Sequence, residues 1–207
     1  MSKSLEIPRV NGFGDIAAFA KAAVDTVCWP AEFPYRPDVR LSVAHDGASI
    51  LIRFDVTEDN PRAVAMENNG PVWEDSCVEF FVREPGSPYY FNFETNCIGT
   101  GLASRRLSRD EFTRFDDERM ARIIRRPSLP AHPLDIREKT SWSLELQVPF
   151  DLICAEGKAP ERLLANFYKC GDKTAVPHFL SWNPIEVPAP DFHRPEFFGE
   201  LILRDIG

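Results

Sequence analysis

Apolar residues recur with a period of two along most of this chain, and that alternation restricts its fold more than any other feature. Trp142, Leu144, Leu146 and Val148 alternate with Ser143, Glu145 and Gln147 until Pro149-Phe150-Asp151 ends the run. Ile50, Ile52, Phe54 and Val56 alternate in the same way with Arg53, Asp55 and Thr57, after a run of Leu41, Val43 and His45 and an Asp46-Gly47 turn. Side chains of an extended strand point alternately to its two faces, so each run covers a core on one side. Eighteen prolines against eleven glycines, with 12% aromatic residues, suit many short strands joined by stiff turns.

Val78, Phe80 and Val82 give a further strand, broken at Pro85-Gly86, and Phe91 and Phe93 continue an apolar face beyond the turn. The two apolar faces coincide only if even residues of the first strand oppose odd residues of the second, which a four-residue turn over Glu84 to Ser87 satisfies. The opposite face of this hairpin then carries Glu79, Phe81, Tyr90, Asn92, Glu94 and, just beyond, Asn96. Thr100 to Leu107, Met120 to Ile124, Leu163 to Tyr168, Phe179 to Trp182 and Phe198 to Leu203 complete the expected strands. Near the N-terminus, Ile16, Phe19, Ala20, Ala23, Val24 and Val27 fall at helical spacing behind Asp15, and Pro30, Pro34 and Pro37 impose an extended stretch before Arg40.

About ten strands and one short helix predict an all-β fold, a two-sheet antiparallel sandwich of immunoglobulin-like or jelly-roll type. With 207 residues the chain is read as one domain: residues 1–39 as a helix and extended lead-in packed on the sandwich, residues 40–207 as the sandwich itself.

Net charge −8 opposes binding to a phosphate backbone, which draws its affinity from lysine and arginine. The clusters Arg105, Arg106, Arg109 and Arg122, Arg125, Arg126 are interrupted by acidic residues and read as a solvated face. No apolar run reaches the length of a membrane span, and Met1 to Arg9 has no apolar stretch of signal-peptide length, so the expected compartment is the cytoplasm. Neither nucleic acid nor membrane is expected as a partner. The five cysteines, Cys28, Cys77, Cys97, Cys154 and Cys170, are widely spaced with no C-x-x-C pair; they read as buried thiols, and no metal or cofactor is expected.

Phosphate-binding glycine loops, a G-x-S-x-G elbow and an H-E-x-x-H helix are all missing from the sequence. Glu79 and Glu94 are paired carboxylates that would serve glycoside hydrolysis if they flanked a glycosidic bond. Two tryptophans stand outside core patterns: Trp73 in Pro71-Val72-Trp73-Glu74-Asp75-Ser76, and Trp182 in Leu180-Ser181-Trp182-Asn183-Pro184. Indole faces pack on the C–H faces of pyranose rings while neighbouring carboxylates and amides take the hydroxyls. Trp142 belongs to a core run, and Trp29 is expected to line the core beneath the helix.

The stretches Val72-Trp73-Glu74-Asp75-Ser76-Cys77-Val78-Glu79-Phe80-Phe81, Ala165-Asn166-Phe167-Tyr168 and Phe179-Leu180-Ser181-Trp182, with Asp191-Phe192-His193-Arg194-Pro195 near the end, resemble the family nine carbohydrate-binding modules, from about Arg40 onward. These are β-sandwiches of the broader DOMON-like group. The resemblance implies a non-catalytic domain that clamps a small carbohydrate or glycan end between Trp73 and Trp182, with Glu79 as hydroxyl acceptor. Asn92, Asn96 and Tyr90 share the face of Glu79, and His193 and Arg194 are further candidates for lining the site. Some members of the broader group hold haem through Met and His ligands, for which Met66 and His178 are the candidates here.

Overall fold

The alternating runs pair as strands in a computed structural model that describes residues 2–205. In chain order they are β1 (Ser4–Pro8), β2 (Ala20–Ala23), β3 (Thr26–Val27), β4 (Asp38–His45), β5 (Ser49–Asp59) and β6 (Arg62–Ala63). Then come β7 (Cys77–Arg83), β8 (Tyr90–Asn96), β9 (Gly101–Arg106), β10 (Phe112–Arg114), β11 (Ile124–Pro127) and β12 (Leu134–Asp135). The last four are β13 (Lys139–Pro149), β14 (Arg162–Cys170), β15 (Phe179–Ser181) and β16 (Gly199–Arg204). A larger sheet has the order β1-β16-β14-β7-β8-β9-β10, with β15 pairing to β14 and β3 to β15. A five-stranded sheet runs β11-β13-β5-β4-β2, and β12 pairs with β6.

The two sheets close on one core. Leu41, Val43, Ile52, Phe54 and Leu144 from the smaller sheet share a buried cluster with Val78, Phe80, Phe93 and Phe167 from the larger. Phe54 meets Phe167 across the sheets edge-on at 6.3 Å, and Phe80 stacks on Phe167 at 5.2 Å. Each such side chain contributes about 1.5–3 kcal/mol by leaving water. The fold is thus the all-β sandwich expected. Its β1–β16 pair is parallel, an addition from a segment in which no strand was expected.

Two of the expected elements take another form. Instead of a helix behind Asp15 there is a 3-10 turn over Phe13–Ala18, followed by β2 pairing antiparallel with β4. The apolar residues at helical spacing serve two different faces: Ile16 and Phe19 pack with Ala44 and Leu51, whereas Val24 enters the inter-sheet core. Edge pairing satisfies the backbone there, overriding the periodicity. Conversely, Met120 begins no strand. It sits in the helix α1 (Asp117–Arg122), capped by the Asp116 carboxylate accepting from the Arg119 amide, and strand structure starts at Ile124.

Around the β7–β8 hairpin both faces of the larger sheet are buried. Phe81, Tyr90, Tyr168 and Cys170 point away from the inter-sheet core and are covered by Trp29, Ile185, Phe192 and Phe198 from loops. Trp29 therefore lines this second cluster, its Nε1 donating to the Val187 carbonyl at 2.8 Å, and does not lie under a helix. The hairpin turn is the expected one: Ser87 N–H donates to the Glu84 carbonyl, and Gly86 takes a φ of +82° that favours glycine.

Candidate functional site

The hairpin register sets Glu79 opposite Glu94, Phe81 opposite Asn92 and Cys77 opposite Asn96. On either side, β14 brings Tyr168 beside Glu79 and Cys170 beside Cys77, and β9 brings Arg106 beside Tyr90 and Ser104 beside Asn92. Alternation therefore collects one face of four strands into a row of polar and aromatic side chains. Over this row opens a cavity of about 310 Å³. Glu79, Glu94, Arg106 and Cys170 are its buried lining; Trp73, Phe112, Phe179 and Phe192 supply aromatic lining. Arg109, Asp110, Arg114, Asp172, Asp191 and His193 also line it.

The buried polar groups are wired together. Arg106 Nε donates to Asn92 Oδ1 at 2.7 Å, and Asn92 Nδ2 donates to Glu94 Oε1 at 2.7 Å. Arg106 Nη1 also donates to the Arg109 carbonyl, and Arg114 Nη1 to Ser104 Oγ. Glu79 Oε1 accepts from the Cys170 thiol at 3.1 Å. Burial, above all, and the neighbouring Glu94 push the Glu79 carboxyl well above the usual carboxylate range. Glu94 is raised mainly by burial, against the opposing pull of Asn92 and Arg106. A neutral carboxyl donates as well as accepts whereas a carboxylate only accepts, so the raised Glu79 favours the form that offers a hydroxyl both.

His193 is pushed down to about 3 by burial and by Arg106, Arg109 and Arg114, which makes it a neutral ring at physiological pH. Its Nδ1 lies 3.1 Å from the Tyr90 hydroxyl, and its ring centroid lies 5.0 Å from that of Phe81. Asp191 accepts from the His193 amide at 3.0 Å and pairs with Arg194 Nε at 2.7 Å. Asp172 is raised to about 6 by desolvation and by the nearby Glu74.

Of the residues singled out in the sequence, Trp73, Glu79 and His193 line the cavity together. Trp182 does not. It is 3% exposed, packs on Phe167 at 5.7 Å and belongs to the inter-sheet core, on the other face of the larger sheet. An indole enclosed in this way has no free face for a sugar, so the expected tryptophan pair is not formed. Asn96 is also structural, donating to the Ala65 carbonyl and the Asp75 carboxylate. Asn92 and Tyr90 are buried behind the lining, where they hold Glu94, Arg106 and His193 in place. Arg194 pairs with Asp191 and Glu196 outside the cavity lining.

Arg106 and Arg114 were not expected at the site. Arg106 is 4% exposed, not part of a solvated face, because positions 102, 104 and 106 of β9 fall on the same face as Glu94, Asn92 and Tyr90. That alternation is the signal that could have found it. Phe112 and Phe179 reach the cavity from β10 and β15, and their placement follows from sheet order.

The residues considered for haem do not fit it. Met66 is 47% exposed. His178 is buried with both ring nitrogens engaged, Nε2 by Lys169 Nζ at 2.7 Å and Nδ1 by the Val176 carbonyl at 2.8 Å. An axial ligand needs a free nitrogen facing an open apolar pocket.

Comparison with known proteins agrees with this architecture. The family model described as carbohydrate-binding family 9 matches residues 10–203. A solved structure from Bacteroides uniformis, described as that of a candidate carbohydrate-binding protein, shares 36% identity over 99% of this chain and 100% of its own, with a TM-score of 0.92. Two structures of a family 9 carbohydrate-binding module from Caldicellulosiruptor kristjanssonii, one with cellotriose and one with glucose, share the fold at 10% identity. They cover 99% of this chain and 95% and 97% of their own, with TM-scores of 0.65 and 0.61. A search of curated proteins finds no match. The chain belongs to carbohydrate-binding family 9.

Proposed function

We propose that the cavity binds one small carbohydrate unit without transforming it, with Trp73 as its stacking surface and Glu79, Glu94, Arg106 and Arg114 as its hydroxyl partners. The observation that carries this reading is that the partly exposed Trp73 indole shares a single cavity with the buried Glu94–Asn92–Arg106 chain. Sugar recognition needs both: an apolar plate for the C–H face and preorganised donors and acceptors for the hydroxyls. At about 310 Å³ the cavity is at the small end for ligand sites, which suits a chain end or a free sugar. Phe112 and Phe179, lining the same cavity, take the aromatic role that Trp182 cannot.

Glycoside hydrolysis is the weaker reading. It needs two carboxyls on opposite sides of the scissile bond, whereas Glu79 and Glu94 are cross-strand partners on one wall. Glucose and cellotriose, bound by the two fold neighbours from Caldicellulosiruptor, are the natural first probes. Calorimetric titration should give saturable one-site binding of a gluco-configured sugar, weakened about tenfold or more by Glu94→Gln, with cellotriose recovered intact. Absence of heat across mono- and oligosaccharides of several configurations would overturn the reading, and release of glucose from cellotriose would move it to the enzyme.

A further inference from the structure

Beneath the cavity, three side chains with metal-ligating atoms meet. Cys77 on β7 and Cys170 on β14 are direct cross-strand partners, and Glu79 is two residues along on the same face as Cys77. The two sulfurs and a Glu79 oxygen all lie within 4.8 Å of one another, and all three residues are buried. We propose that Cys77, Cys170 and Glu79 form a three-ligand site for a thiophilic divalent cation of the zinc or cadmium type, at the floor of the cavity and with its remaining position open towards it.

The geometry needs little change. A tetrahedral zinc with Zn–S bonds of about 2.3 Å places two sulfurs about 3.7 Å apart, within the spread that the three ligand atoms already have. All three ligands come from the centres or ends of paired strands in the larger sheet, which holds them more rigidly than loops would. Cys170 and Glu79 line the cavity, so an ion has a way in and a face for a fourth ligand. Two thiolates and a carboxylate select a soft or borderline cation over calcium or magnesium, which take oxygen ligands. The remaining cysteines, Cys28, Cys97 and Cys154, are free thiols too, and none of them belongs to such a cluster among the described residues.

Ligation by thiolate sulfur displaces the protons of the Cys77 and Cys170 thiols. Burial pushes Cys77 up to about 12 and raises Cys170 well above its ordinary range, and Glu79 is raised likewise. Binding therefore exchanges thiol protons for the ion: M²⁺ plus two thiols gives the metal dithiolate and two protons, with the Glu79 carboxylate as third ligand. Affinity rises with pH accordingly.

The test is titration of the intact, reduced protein with Cd²⁺, following the ultraviolet thiolate-to-cadmium charge-transfer absorption. One equivalent should develop the absorption and release protons. Cys77→Ser and Cys170→Ser should each weaken binding by at least about tenfold, and Cys154→Ser should leave it unchanged. X-ray absorption of the zinc-loaded wild-type protein reads the site without any variant, and should show two sulfur neighbours with oxygen completing the shell. A shell of only oxygen and nitrogen, no charge-transfer absorption at one equivalent, or absorption undiminished in both serine variants would overturn the site. None of these readouts depends on sugar binding.

Discussion

Glu79 and Glu94 face each other across the β7–β8 ladder, both buried, on the side of the sheet that opens into the cavity. Like charges placed directly opposite in a sheet are unfavourable, and burial makes two carboxylates there costlier still. The arrangement persists because the surroundings of the pair divide its roles: Asn92 and Arg106 favour the charged form of Glu94, while burial favours the neutral form of Glu79.

This has a pH consequence. A carboxyl whose folded pKa lies above its unfolded value of 4.5 contributes stability that is full below that value and is lost as pH rises towards the folded pKa. His178 and His193, both lowered from 6.5, act in the opposite sense but only below that value. The carboxyls therefore pull stability down as pH rises above 4.5, and above 6.5 the two histidines no longer offset them. Urea denaturation followed from pH 4.5 upward should show Glu79→Gln losing less stability with rising pH than the wild type; a pH dependence unchanged by the substitution would contradict the assignment.

Asn92 acts by positioning. Replacing it with alanine removes one acceptor from Arg106 and one donor from Glu94, both buried, at a cost of about 1–3 kcal/mol for each group left unpaired. Asn92→Ala should weaken sugar binding, with Asn92→Asp restoring the contact to Arg106 but not that to Glu94. Titration of both variants, alongside melting curves, separates the effect on the site from the effect on the fold.

Trp182 and Trp73 should respond oppositely to truncation. Trp182→Ala empties part of the inter-sheet core and should cost about 3–5 kcal/mol of stability, while Trp182→Phe should be milder and leave sugar binding intact. A Trp182→Phe protein that folds but no longer binds would restore a direct role to this residue.

Next to Cys170 on β14, Lys169 Nζ pairs with Glu58 Oε2 at 3.0 Å, both side chains fully buried, and Trp142 Nε1 donates to Glu58 Oε1 at 2.7 Å. Removing one partner leaves an uncompensated charge. Lys169→Met should destabilise the protein by about 3–5 kcal/mol, and adding Glu58→Gln should recover part of the loss. Denaturation midpoints of the single and double variants check this.

The hairpin face was legible because alternation fixes which residues of two adjacent strands share a side, so Glu79, Asn92 and Glu94 could be placed on one face from residue order alone, while the pairing of Glu79 with Glu94 came from the structure. Trp182 was misread for the complementary reason. A tryptophan just beyond a three-residue strand has only Leu180, two places before it, to show its side, and the packing of Phe167 and the approach of Gly199 place it inward with Leu180. Arg106 and the Cys77–Cys170 pair needed sheet order as well, since β9 and β14 flank the hairpin from opposite sides, and no local pattern states which distant strands will lie there. The N-terminal segment misled through a periodicity whose apolar residues divide between two packing faces.

The most direct test of the central claim is intrinsic tryptophan fluorescence during titration with glucose and cellotriose, in the wild type and in Trp73→Ala. Stacking on Trp73 predicts a saturable change in the wild type that disappears in the variant, with affinity lowered about tenfold or more when followed by calorimetry. A wild type that responds to no sugar, or a Trp73→Ala protein that binds as tightly as the wild type, would contradict the assignment of the cavity as a carbohydrate site built on Trp73.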